Sequence, residues 1–132
     1  MAKELISDHE LKSGSNLPSG PARLEPRSKI WIERNGDTVL SDWRVALLEA
    51  IERTGSLAKA AEEVGIPYRS AWQKIKESEE RLGIRLVNTH CGGAEGGSSE
   101  LTDAAYDLVR RYRQFTDGLA ELVDKRFKEA FG

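Results

Sequence analysis

The residues best suited to chemistry lie together between Pro67 and Lys76. Tyr68, Arg69, Trp72, Gln73 and Lys76 share one face of a helix, which would present two aromatic rings, two cations and a carboxamide side by side. Residues 67 to 76 carry three positive groups, Arg69, Lys74 and Lys76, and no acid. Glu77, Glu79 and Glu80 come only at the far end. A locally basic, hydrogen-bonding helix start is suited to base edges in a DNA groove, even on a chain whose net charge is -2. The competing reading makes Tyr68 and Trp72 core residues and leaves Arg69 and Lys76 merely solvated, since aromatic residues at helical spacing are usually buried.

Other residues suggest chemistry and do not sustain it. His90 beside Cys91 could begin a metal site or supply a thiol nucleophile, but structural zinc takes four ligands and catalytic zinc three. The chain has one Cys and two His, the second being His9 near the amino terminus. Gly92-Gly93 and Gly96-Gly97 could cradle a phosphate, yet no Gly-Lys-Ser/Thr follows and no helix starts directly after them. The expectation is an exposed loop, no metal, no cofactor and no enzyme activity.

The elements that must position Tyr68 to Lys76 follow from capping and periodicity. Ile30-Trp31-Ile32 and Thr38-Val39-Leu40 flank Asn35-Gly36-Asp37, which predicts a small hairpin. Ser41 caps a first helix with Asp42 at its positive end, Leu47, Leu48 and Ile51 at helical spacing, and Gly55 as its stop. Ser56 caps a second, in which Leu57, Ala60, Ala61 and Val64 form one stripe up to Gly65. Pro67 opens a third running to about Leu82, with Ser70, Ala71, Ile75, Ser78 and Leu82 as its buried face. Leu86-Val87 and Glu100-Leu101 read as paired strands around a tip with four glycines between Cys91 and Ser99. Thr102 caps a last helix reaching about Ala130, about 40 Å long. In it Leu108, Tyr112, Phe115, Leu119 and Leu122 alternate spacings of four and three, the seam of a coiled coil. That exceeds what so small a core covers, so a second subunit is expected to bury part of it.

The rest of the chain bounds the reading. Its 132 residues, with 20 Lys+Arg against 22 Asp+Glu, make one small domain with no run near the roughly 20 apolar residues of a membrane span. Met1 to Glu10 is no secretory signal, and a single cysteine excludes an internal disulfide, so a cytoplasmic protein is expected. Residues 1 to 28, with four positive and four negative groups and few large apolar side chains, read as a disordered tail. Residues 29 to 102 form the folded unit, and 103 to 132 the dimerisation helix.

Two short helices joined by Val64-Gly65-Ile66-Pro67, then a glycine-tipped hairpin, is the order of a winged helix-turn-helix, mainly α with small β-hairpins. The run from Gly55-Ser56-Leu57 through Ala60-Ala61, Val64-Gly65-Ile66, Tyr68-Arg69-Ser70-Ala71-Trp72, Ile75, Leu82-Gly83 and Leu86-Val87 resembles LysR-type regulators. More closely, with the wing glycines before Leu101-Thr102, it resembles the amino-terminal domain of the ModE family of molybdate-responsive regulators, over about residues 30 to 130. The resemblance implies a homodimer on double-stranded DNA, with third helices about 34 Å apart in successive major grooves. It implies phosphate contacts at Ser56 and Lys59. Pro67, Tyr68, Arg69, Trp72, Gln73 and Lys76 would face the groove, and Arg85 and the wing, Gly92, Gly93, Gly96 and Gly97, the backbone. This wing has no Lys or Arg, so backbone N–H groups would have to supply its contacts. The sequence stops at Gly132, so no molybdate site is expected in it. The alternative function is a winged-helix adaptor that binds protein instead of DNA, which would have no need of the acid-free stretch from Pro67 to Lys76.

Overall fold

Asn35 and Gly36 both stand at positive φ, 54° and 86°, the two-residue turn whose twist suits paired strands. They join β1 (Trp31–Arg34) to β2 (Asp37–Ser41) in an antiparallel hairpin that sets Ile32 opposite Leu40 and Arg34 opposite Asp37. The computed structural model describes residues 24 to 90 and 97 to 132. Most of the expected disordered tail, along with Cys91, Gly92, Gly93 and Gly96, lies outside the described residues.

Caps set the helices. Ser41 Oγ accepts the N–H of Arg44 at 3.2 Å and starts α1 (Asp42–Thr54), which ends at Gly55 with φ 72°. Ser56 Oγ accepts the N–H of Lys59 at 3.1 Å and starts α2 (Leu57–Val64). At its end Gly65, φ 82°, sends its N–H to Glu62 O while Ile66 N–H reaches Ala61 O, which consumes two last-turn carbonyls and reverses the chain. α3 (Tyr68–Leu82) begins one residue later than expected, with Pro67 as its cap residue.

Leu47, Leu48 and Ile51 of α1, Leu57, Ala60 and Ala61 of α2, and Ala71 and Ile75 of α3 share one core. The alanines let α2 and α3 approach closely, and Ile66 is half-buried against them. On α3 Ala71, Ile75 and Ser78 are buried, and Ser70 and Leu82 partly so. The second hairpin, β3 (Val87–His90) with β4 (Ser98–Leu101), sets Val87 opposite Leu101 and His90 opposite Ser98. Buried Ser99 moors it: its N–H donates to Gly55 O at 2.9 Å and its Oγ accepts the N–H of Leu57 at 3.3 Å.

The carboxy-terminal helical segment differs from expectation in two respects. It is divided into α4 (Asp103–Thr116) and α5 (Leu119–Phe131), because Asp117 is extended and Gly118 lies at φ 79°, which breaks the i to i-4 ladder. Tyr112 does not belong to an outward seam. Tyr112 is 1% exposed in the chain's own core, and its single O–H is shared between Ile30 O at 3.0 Å and Asp42 Oδ1 at 2.9 Å. Leu108 is also partly buried on that core. Phe115 and Leu122 stay exposed, Leu119 is partly covered, and α5 has no buried residue. Among the described residues no helix is long and apolar enough to cross a membrane.

Candidate nucleic-acid interface

Tyr68 and Trp72 are 54% and 46% exposed, and Arg69 and Gln73 are exposed beside them. These aromatic rings are therefore not core, because Ala71, Ile75 and Ser78 already form the buried face of α3. The helix is held from both flanks. On one, the Arg44 guanidinium donates to Lys74 O at 3.0 Å, Ser78 Oγ at 2.8 Å and Glu77 Oε1 at 3.1 Å, while Ser78 Oγ donates onward to Val39 O at 3.1 Å. Burial alone would raise the Glu77 carboxyl, but the Arg44 hydrogen bond together with Lys74 and Arg81 holds it below its usual value. Arg34 Nη1 donates to Arg81 O and Leu82 O, which satisfies carbonyls of the last turn. On the other flank Glu79 Oε2 accepts the N–H groups of Leu86 at 2.8 Å and Val87 at 3.1 Å, tying α3 to the wing.

The cations of the helix start are not equivalent. Lys74 Nζ lies 3.7 Å from Glu77 Oε1, and Lys76 Nζ lies 3.2 Å from Glu79 Oε1 and 5.6 Å from the centre of the Trp72 ring. Arg69, Lys59 and Arg85 are exposed and, among the described residues, have no carboxylate within ion-pair distance. Ser56 spends an acceptor lone pair on its cap and keeps its O–H to donate. Ser56, Tyr68, Trp72 and Gly97 line one open groove of about 420 Å³, completed by Ala58, Thr89, His90 and Ser98. Arg69 borders a second depression with Tyr68 and Trp72.

Pro67 is exposed where the groove-facing helix begins, and Arg85 lies in the link from α3 to β3, its carbonyl accepting Thr102 Oγ1 at 2.8 Å. Sequence reasoning missed Glu79, Arg44, Thr89 and His90. The strand pairing directly after α3 was the available sign for Thr89 and His90, since it lays the wing's inner ends beside the start of α2. His90 Nε2 is 3.3 Å from Glu100 Oε2. Among the described residues no three His, Cys, Asp or Glu side chains converge as metal ligands.

A helix-turn-helix whose second helix exposes its polar, aromatic face, followed by a hairpin moored at the start of the first, defines a winged helix-turn-helix domain. The family described as "Bacterial regulatory helix-turn-helix protein, lysR family" matches residues 44 to 106. The chain carries a LysR-type helix-turn-helix domain, and over that stretch its relatives are ModE-like. It is 39% identical over 94 residues to the molybdenum-pterin-binding protein MopB of Rhodobacter capsulatus, covering 71% of this chain and 34% of that protein. It is 38% identical over 86 residues to the molybdenum transport protein ModE of Azotobacter vinelandii, covering 65% and 32%. It is 36% identical over 84 residues to the DNA-binding transcriptional dual regulator ModE of Escherichia coli K12, covering 64% and 30%. The chain thus spans about a third of the length of these relatives. Among solved structures, the BenM_DBD/catB site 1 DNA complex aligns with a TM-score of 0.51 at 20% identity, covering 67% of this chain and 93% of that one. The CbnR_DBD-DNA complex aligns with a TM-score of 0.50 at 22% identity, covering 66% and 93%. At these identities the likeness is one of fold.

Proposed function

We propose that this chain is the DNA-reading part of a transcriptional regulator. It acts as a homodimer, with α3 in the major groove and the β3–β4 wing along the backbone. The observation that carries the reading is the uncovered face of α3: Tyr68, Arg69, Trp72 and Gln73 stand exposed on a helix fixed on both flanks. Among the described residues, no core contact accounts for two aromatic rings there. The named activity of the Escherichia coli relative and the DNA complexes among the fold neighbours support the same assignment. Arg69 and Gln73 would read base edges, Tyr68 and Trp72 would cover methyl groups or sugars, and Ser56, Lys59 and Arg85 would meet phosphates. The exposed Phe115 and Leu122, with the partly covered Leu119, would face a second copy. A DNA reader shares the compartment of the genome, so the cytoplasmic location belongs to the same proposal, as does the absence of catalysis.

The test is genome-wide mapping of bound sites, followed by fluorescence anisotropy on the recovered duplexes. Wild type should bind with steep salt dependence. Arg69→Ala should lose roughly 5- to 150-fold, the cost of one base-directed contact of about 1–3 kcal/mol. A chain that ignores every duplex at low salt and captures a protein partner instead would make it an adaptor.

A further inference from the structure

Glu79 is oddly placed for an acid on a DNA-facing helix. Its side chain is only 11% exposed, and its two oxygens serve different elements. Oε2 receives the N–H groups of Leu86 and Val87 where the wing begins, while Oε1 faces Lys76 Nζ at 3.2 Å. Lys76 in turn lies over the Trp72 ring. An unbroken run of contacts therefore joins the exposed reading face, through the lysine and the carboxylate, to the wing.

From this geometry we infer that Glu79 is a specificity-determining positioning residue, which holds the Lys76 ammonium back from phosphate so that the reading face binds non-specific DNA weakly. The inference rests on the DNA-reading assignment above. A lysine free to reach phosphate adds the same counterion-release attraction to every duplex, whatever its sequence. A carboxylate anchored by two backbone donors keeps its oxygen beside Lys76 without moving, so the restraint is built into the fold. Occupying Lys76 removes a sequence-blind contribution and leaves the base-reading groups, Arg69 and Gln73, untouched. The ratio of specific to non-specific affinity rises accordingly. Lys74 is similarly occupied by Glu77, which leaves Arg69 as the unpaired cation on this stretch among the described residues.

The experiment is a double-mutant cycle of Glu79→Gln and Lys76→Gln in the full chain. Binding to a random-sequence duplex and to a recovered genomic site is followed by anisotropy across a salt series. Glutamine keeps an acceptor oxygen for Leu86 and Val87 and removes the charge that holds Lys76. Glu79→Gln should bind the random duplex about eightfold more tightly at 0.1 M salt and steepen the log–log salt slope by about 0.9, the counterion share of one phosphate. Adding Lys76→Gln should cancel both changes, whereas in the Glu79 background Lys76→Gln should cost about twofold or less. An unchanged slope in folded Glu79→Gln, or a full eightfold cost of Lys76→Gln beside intact Glu79, overturns the inference. Should circular dichroism show Glu79→Gln unfolded, the Lys76→Gln measurement decides alone. Failure of the wild type to bind any duplex refutes the DNA-reading assignment itself, and this inference with it.

Discussion

Replacing Arg44 with alanine tests whether the reading helix is held as the structure implies. The Arg44 side chain is 12% exposed and contacts three acceptors on α3: Lys74 O, Ser78 Oγ and Glu77 Oε1. Breaking a buried charged pair costs about 3–5 kcal/mol, because the surviving partner is left unsatisfied. The lower end applies here, since Glu77 keeps Lys74 at 3.7 Å and Arg81 at 3.8 Å and is 28% exposed. A loss of about 3 kcal/mol is a large share of the 5–15 kcal/mol typical of a domain, and lowers Tm by roughly 12–24 °C for about 100 ordered residues. Urea and thermal unfolding, at one protein concentration because any self-association would add to apparent stability, measure it. Arg44→Lys should recover less than half, since an ammonium's three donors leave one nitrogen and cannot span acceptors that Arg44 reaches from both Nη1 and Nη2. DNA affinity should fall in the alanine variant with the salt slope unchanged, because Arg44 orients α3 without touching phosphate. A stability loss below about 1 kcal/mol, or a slope lower by about one, would refute this account of how α3 is fixed.

Two further outcomes follow from the carboxy-terminal helices. Burial first, and then the hydrogen bond to Asp42, pushes the Tyr112 hydroxyl up to about 12 from an ordinary value of 10.0. A raised folded value means that the neutral form is favoured by folding, so this stabilisation is complete below pH 10 and is lost as pH rises through about 12. The tyrosinate absorbance present in wild type and missing in Tyr112→Phe should therefore appear near pH 12, and its appearance near pH 10 would contradict the buried placement. Leu122 is 42% exposed on a helix without a buried residue, so Leu122→Glu should leave the unfolding of the monomer unchanged and abolish self-association in sedimentation velocity. A dimer that survives the substitution would remove α5 from the interface.

The helix-turn-helix was legible because its determinants are local. Ser41 and Ser56 cap the following turns, Gly55 and Gly65 take up left-handed conformations, and Leu57, Ala60 and Ala61 face one way. Each of these needs only residues within a few positions. One failure arises because the partners lie far off along the chain. Tyr112 falls on the heptad seam of its helix, but it packs into the chain's own core and its hydroxyl meets Ile30, just before β1, and Asp42 of α1. Gly118 could be tolerated within a helix at about 1 kcal/mol relative to alanine, so the sequence pattern ran through it while the chain used its freedom to break.

Charge shows a different limit, and a local one. An acid-free decapeptide looks strongly basic when charges are summed along the chain, but on a helix a residue's neighbours lie three and four positions away. Lys74 and Lys76 meet Glu77 and Glu79 across that interval, so the acids set aside as belonging to the far end are the ones that neutralise the near end. Of the cations expected to meet DNA, Arg69 on α3, Lys59 on α2 and Arg85 on the link to β3 have no carboxylate within ion-pair distance among the described residues. They come from three different elements of a chain whose net charge is -2. Which cations keep a carboxylate partner is decided by the folded helix and its neighbours, so neither the total charge nor the charge summed over one segment identifies those left free.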